Sequence, residues 1–224
     1  SITNIKNYQK TYYVPNNMAI CLSGDFDTDE MVAVIEKYFG QMQPNKDLPE
    51  ITLTTSSVIE SPAEKDVYGL DAENVMIGWK YPGAKSEDAL VAEVAASVLY
   101  NGSAGLIDLN INQQQTVLEA DGMSYGRPDA GEFILMGNPK QGQTLEEVRD
   151  ILLAEVAKLR NGEFDEAVLN GTINNMKLSL MRSLEDNGSR ADMFVQSFIN
   201  GTDWADDVKS IERMQEVTKE DIMN

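Results

Sequence analysis

The sequence predicts an α+β protein in which strands come first and helices follow, and three stretches carry that prediction. In Val75–Trp79 the apolar residues Val75, Ile77 and Trp79 alternate with Met76 and Gly78, as a strand with one heavy face requires, and Pro82-Gly83 then turns the chain. Leu118–Gly126 and Glu132–Gly137 flank Arg127-Pro128-Asp129-Ala130-Gly131, which has the turn chemistry of a hairpin. From Thr144 onward apolar residues recur at helical spacing. Strands followed by helices specify a mostly antiparallel sheet packed by helices on one side, an α+β sandwich.

Taken in order, residues 4–13 form a short helix closed by Val14-Pro15. Met18–Ser23 is an apolar run suited to a buried strand, ended by Gly24. Asp27 and Glu30 fit a capping box ahead of a helix bearing Met31, Val34, Ile35 and Phe39, and Gly40 stops it. From Gln41 to Ser57 the composition shifts to Pro, Asn, Thr and Ser, which reads as a linker. A second unit begins near Val58, with a short strand at Val67–Leu70. Within Glu73–Leu109, Ser86 caps a helix whose Leu90, Val91, Val94 and Val98 share a stripe; Asn101-Gly102 ends it, and a short helix with Leu106, Ile107 and Leu109 follows. Thr144 and Glu147 make a second capping box before Leu145, Val148, Leu152, Val156 and Leu159. Residues 164–186 carry Leu169, Ile173, Met176, Leu180 and Leu184 on one face, so packing must hold the helix around Gly171. Shorter helices occupy 189–200 and 203–216, separated by Asn200-Gly201.

The two ends match in pattern: Ser1-Ile2-Thr3-Asn4-Ile5-Lys6-Asn7 against Thr218-Lys219-Glu220-Asp221-Ile222-Met223-Asn224. So short a match fits chance as well as a repeat. As a repeat, it makes 1–42 the tail of a preceding homologous unit, 43–57 a linker, and 58–224 a second unit lacking its final strand and helix.

The 224 residues, 42% of them hydrophobic, are enough for a proper core. The formal charge of -19, from 37 acids and 18 bases, excludes a nucleic-acid binder and adsorption to an anionic membrane, both of which need a Lys/Arg surface. A solvated acidic surface is the plain reading; a field that attracts basic peptides is the alternative. The single cysteine, Cys21, allows no intrachain disulfide and reads as a buried structural thiol. No apolar run reaches membrane-span length. No signal peptide is visible, although the chain does not open on Met and reads as starting mid-domain.

The absence of histidine excludes Ser-His and Cys-His nucleophiles and His-based zinc sites, and one cysteine cannot build a thiolate site. Neither a P-loop nor a dinucleotide fingerprint occurs. Asp25, Asp27 and Asp29, with Glu36 beyond, imitate a calcium loop, but Glu30 stands where Gly is needed and the following pattern is helical, so Asp27 is expected to be a helix cap. Asn101, Asn170, Asn187 and Asn200 each precede Gly-Ser/Thr; the pattern fits glycosylation, but the turn reading is preferred. Glu146/Glu147 and Asp206/Asp207 read as solvated helix faces, and Met176 and Met181 as core filling. No catalytic, cofactor-binding or metal-binding residue is therefore assigned.

The run Tyr12-Tyr13-Val14-Pro15-Asn16-Asn17-Met18, leading through Ala19–Ser23 to Gly24-Asp25 and on to Lys37-Tyr38-Phe39-Gly40, resembles the pitrilysin/insulinase family of zinc metallopeptidases, the inverzincins. Strand 74–81, helix 86–100, Gly102-Ser103-Ala104-Gly105-Leu106, Gly162–Leu169 and Val217–Ile222 continue the likeness through most of the chain. Ala104 and Gly105 stand where relatives often carry Ser-Arg.

That resemblance implies homologous α/β units in two halves, enclosing a chamber around an extended peptide, with zinc held by H-x-x-E-H and a distal Glu in the first unit. This chain would follow that motif and be non-catalytic chamber wall, with zinc belonging to the parent protein. The family's substrate-binding Arg and Tyr would fall near Asn110 and Val117, where neither residue type matches. The implied partners are the catalytic unit, a possible second half and a peptide substrate; the implied location is the periplasm or envelope of a bacterium. The alternative is a scaffold or partner domain of a catalytically dead member. An open sheet edge would also favour pairing of the strand at 17–23, within one chain or between two copies.

Overall fold

The computed structural model describes residues 1–50 and 59–224. In chain order its elements are helix α1 (Ile2–Tyr12), a 3₁₀ turn (Pro15–Asn17), α2 (Thr28–Phe39), strand β1 (Val75–Tyr81), α3 (Glu87–Leu99), a π-helical turn (Asp108–Asn112), β2 (Glu119–Gly126), β3 (Gly131–Asn138), α4 (Leu145–Arg160), α5 (Glu166–Ser183), α6 (Asn187–Asn200), α7 (Trp204–Val208), α8 (Ser210–Glu216) and α9 (Lys219–Met223). The chain divides into two compact units, Ser1–Thr54 with Arg182–Ile199, and Thr55–Met181 with Asn200–Asn224.

In the first unit the Ser1 hydroxyl accepts from Asn4 N at 3.3 Å and starts α1. Asp27 accepts from Glu30 N at 2.9 Å and starts α2. Asn45 ties the intervening segment down, donating to Thr11 O at 3.1 Å and taking Asn16 Nδ2 on its own carbonyl at 2.8 Å. The expected strand at Met18–Ser23 does not form: the chain is extended at Met18, but no described strand pairs with it, and Met18, Ile20 and Leu22 are exposed. Its end is held by side chains instead, with Arg190 Nε donating to Ser23 Oγ at 2.9 Å. A strand needs a neighbour to satisfy its backbone, and apolar residues alone do not supply one.

The second unit is an antiparallel sheet ordered β1-β3-β2, with β3 central. The hairpin turn lies at 127–130, and Ala84 N donates to Arg127 O at 2.7 Å, fastening the end of β1 to it. Cross-strand rows Val75/Gly137/Ala120, Ile77/Leu135/Gly122 and Trp79/Phe133/Ser124 form the inner face. Their alternation with outward residues gives β1 its every-other-residue burial. The Trp79 and Phe133 rings meet at 5.6 Å, tilted by 57°. Against this face pack Val94, Val98 and Leu99 of α3 and Val148 and Leu152 of α4, together with Ile107, Ile111, Val117 and Leu135, in one apolar cluster. At Gly137 the approach is so close that an added Cβ would lie 2.6 Å from Val148 Cγ1.

The predicted caps are in place. The Ser86 hydroxyl accepts from Ala89 N at 3.3 Å, and Thr144 with Glu147 forms a reciprocal box at 3.2 and 3.0 Å. Gly102 and Gly201 sit at φ of +76° and +62°, the left-handed conformation that a helix stop requires. Val67–Leu70 is not a strand; Val67, Tyr68 and Leu70 are exposed without a described ladder partner. The helix expected over 203–216 is divided at Lys209 into α7 and α8. Of the linker expected at 43–57, residues 43–50 carry no helix or strand, and 51–57 lie outside the described residues.

Candidate functional site

Two features of the second unit bring polar groups together. The first is the corner between α3 and β2. Asn101 shapes it with an Asx turn: its Oδ1 accepts from Ser103 N at 3.2 Å and Ala104 N at 2.9 Å, while its Nδ2 donates to Ser97 O at 2.9 Å. The buried Asp108 closes the loop by accepting Asn101 N at 3.0 Å and Gly105 N at 2.9 Å. The chain then passes through the π-helical turn, a local irregularity often found at functional positions. There Asn110 donates to Glu155 Oε2 at 2.8 Å, and Lys158 Nζ holds Glu155 Oε1 at 2.7 Å. Asn112 brackets Ala120, donating to its carbonyl at 2.8 Å and accepting its N–H at 2.9 Å. Glu155 is only 4% exposed, and both of its oxygens are engaged. A general base needs a lone pair free for substrate; this cluster spends its own on holding the helices and β2 in place.

The second feature is the outer face of the sheet. Its rows are Met76/Met136/Asp121, Gly78/Ile134/Met123 and Lys80/Glu132/Tyr125. Met76 and Tyr125 are 59% and 52% exposed, and Ile134, Met136, Met123 and Asp121 are half-buried. Asp121 Oδ1 is shielded from solvent without a hydrogen-bond partner. Burial pushes the Asp121 carboxyl above its ordinary range, and the neighbouring Glu119 charge pushes it in the same direction. Tyr100 is raised chiefly by burial, then by Asp108, Asp121 and Glu119. On the inner side Tyr81, also raised by burial, meets the Ser124 hydroxyl at 2.8 Å.

Comparison with known proteins gives this architecture a family. The sequence profile described as "Peptidase M16 inactive domain" matches residues 1–176. The chain belongs to the peptidase M16 family. It is 23% identical over 214 residues to the zinc protease PqqE of Helicobacter pylori, covering 90% of this chain and 47% of that protein. It thus spans about half the length of the curated relative that it matches. The fold resembles the crystal structure of a protease from Helicobacter pylori, with a TM-score of 0.85 at 18% identity over 100% of this chain and 55% of that one. It also resembles the periplasmic protease PqqL from Escherichia coli, with a TM-score of 0.63 at 16% identity over 100% of this chain and 26% of that one.

The zinc associated with M16 relatives does not fit this stretch of the family. The chain has no histidine and one cysteine, and among the described residues no group of three or more His, Cys, Asp or Glu could hold a metal. Of the calcium-like set, Asp27 caps α2, with Asp29 in its first turn. Cys21 is half-buried. Val117, near which the resemblance implied one of a substrate-binding pair, lies in the core, and Asn110, near the other, donates to Glu155.

The Asn-Gly pairs divide. Asn101 and Asn200 meet the predicted turn role, with positive φ at the glycines that follow. Asn170 lies inside α5 and Asn187 begins α6, so neither is a turn, because helix packing and capping override the dipeptide's preference. Met176 packs against the core as expected, whereas Met181 is 51% exposed. Glu147 serves its capping box and Asp207 accepts from Thr202 at 2.9 Å, both in helix-end roles. The Asn110–Glu155 bond and the place of Asp121 on the outer face had no sequence signal, because each depends on elements distant along the chain.

Proposed function

We propose that this chain is the non-catalytic, substrate-enclosing part of a zinc metalloendopeptidase that hydrolyses peptides. The observation that carries the proposal is the inactive-domain match over residues 1–176, in a chain without histidine. In this reading 1–42 is the tail of a preceding homologous unit, 43–57 a linker, and 58–224 a second unit that walls the chamber. The hydroxyl caps at Ser1 and Thr218, which accept from Asn4 N at 3.3 Å and Asp221 N at 3.2 Å, support equivalence of the two helix starts. The catalytic half of the parent supplies the zinc and the acid–base chemistry; this chain supplies surface. The periplasm or envelope of a bacterium is the proposed location, supported by likeness to the periplasmic PqqL.

The test is to read the coding sequence upstream of Ser1 for H-x-x-E-H followed by a further Glu. Its presence, together with zinc in the purified parent, is the expected result. Its absence would leave a scaffold or partner domain of an inactive protein and overturn the enzymatic reading.

A further inference from the structure

We propose that Asn200 is a modification site, at which the Asn200-Gly201 pair closes on itself, loses ammonia and opens with water to a carboxylate that Lys85 holds. This chemistry belongs to the chain itself and does not depend on the metallopeptidase reading.

Five Asn-Gly pairs occur, at Asn101, Asn161, Asn170, Asn187 and Asn200. In each, the absence of a glycine side chain opens the following backbone nitrogen to the amide carbon of the asparagine. Ring closure needs that amide to swing free and the peptide to turn, so the hydrogen bonds around each pair decide which one reacts. At Asn101, Oδ1 accepts from Ser103 N and Ala104 N at 3.2 and 2.9 Å, and Nδ2 donates to Ser97 O at 2.9 Å. At Asn161, Nδ2 donates to Glu163 Oε1 at 3.0 Å and the Gly162 N–H donates to Leu159 O at 3.0 Å. Asn187 Oδ1 accepts from Arg190 and from the Ser23 hydroxyl, and the Gly188 N–H donates to the Asp186 carboxylate. Asn170-Gly171 lies inside α5, with helix on both sides. Asn200 differs from all four. It is the last residue of α6, and among the described residues no hydrogen bond restrains its side-chain amide. Gly201 follows at φ of +62°, so the helix holds the pair from one side only.

The second observation is a cation. A Cβ built on Gly201 would lie 3.0 Å from Lys85 Nζ, and Lys85 makes no ion pair among the described residues. Asn200, Gly201 and Lys85 all belong to the second unit. The Gly201 nitrogen gives its proton to a solvent base and bonds to Asn200 Cγ; the Cγ–Nδ2 bond breaks and ammonia leaves with a proton. The Lys85 ammonium offsets the negative charge that develops on the attacking nitrogen and on the tetrahedral oxygen. Water then adds to one of the two ring carbonyls, breaking its bond to the Gly201 nitrogen, which takes back a proton. Opening at Cγ gives Asp, and opening at the main-chain carbonyl gives isoaspartate. Either product places a negative charge at the C-terminal end of α6, where the helix dipole disfavours it and a cation is needed to hold it.

The test is incubation of the folded full chain in mildly alkaline buffer, with all five Asn-Gly peptides followed by mass spectrometry for the exchange of NH for O. Asn200 converts faster than each of the other four by about tenfold or more, and in urea the five rates converge. Lys85→Gln slows Asn200 by about threefold, with thermal melts confirming that the variant is folded. Asn200→Asp supplies the carboxylate directly, and Lys85→Gln then lowers the melting temperature more than it does with Asn200 in place. Equal rates at Asn200 and Asn101 in the folded chain would overturn the proposal. An unchanged rate in Lys85→Gln without coupling to Asn200→Asp would also overturn it, by removing Lys85 from the site. A glycan on Asn200 in protein from its native source would assign the residue to glycosyl transfer and overturn it as well.

Discussion

Among residues 1–50 only Val14 is buried, at 8%, and neither α1 nor α2 contains a buried residue. The second unit instead closes a core in which Val94, Val98, Leu99, Ile107, Leu135, Val148 and Leu152 have no measurable exposure. The two stretches do not differ in the presence of apolar residues: Ile2, Ile5, Tyr8, Ile20, Leu22, Val32 and Tyr38 are as apolar as the core, yet all are exposed. A sheet with two helices on one face buries its apolar groups within itself, whereas two helices and an extended segment do not.

The contrast can be broken by mutation. Leu135→Ala and Leu152→Ala are each expected to cost about 2–5 kcal/mol in urea unfolding. Ile5→Ala and Leu22→Ala stay within about 0.5 kcal/mol, because they empty no cavity. Comparable losses in both stretches would mean that the first is packed as tightly as the second. Gly137→Ala should cost about 1–3 kcal/mol, because its methyl would meet Val148 at 2.6 Å. Asn110→Ala leaves Glu155 Oε2 without its donor and should cost about 1–3 kcal/mol, with no other change expected for a structural cluster. Gly171→Ala should stabilise by roughly 0.5–1 kcal/mol, since nothing lies within 4 Å of the added methyl in α5.

The smallest expected effect is in acid. The Thr218 hydroxyl and then its backbone N–H hold the Asp221 carboxyl below its ordinary range. A depressed carboxylate lends stability that is present above its unfolded pKa and lost as pH falls through the folded one. Asp221→Asn should flatten that part of the acid limb, read by NMR titration of α9.

Much of the second unit was legible because its signals are local. Ser86, Thr144 and Glu147 announce helix starts, Gly102 announces a stop, and the β1 alternation names the residues that face inward. What failed depended on partners. Met18–Ser23 and Val67–Leu70 have strand-like composition, but pairing is a property of a neighbour and not of a run. The sheet order β1-β3-β2, the Asn110–Glu155 bond across 45 positions and the unpartnered Oδ1 of Asp121 are long-range facts without a local trace. Absence of histidine was the most informative single reading, since it excludes His-based zinc ligands from this chain.

The most direct measurement is hydrolysis of a fluorogenic peptide, with zinc content, by this chain alone, by the parent's catalytic half alone and by the two together. The account predicts no zinc and no hydrolysis for the chain alone, zinc in the catalytic half, and full turnover only when both are present. Stoichiometric zinc and cleavage by the chain alone, or full turnover by the catalytic half without it, would contradict the account.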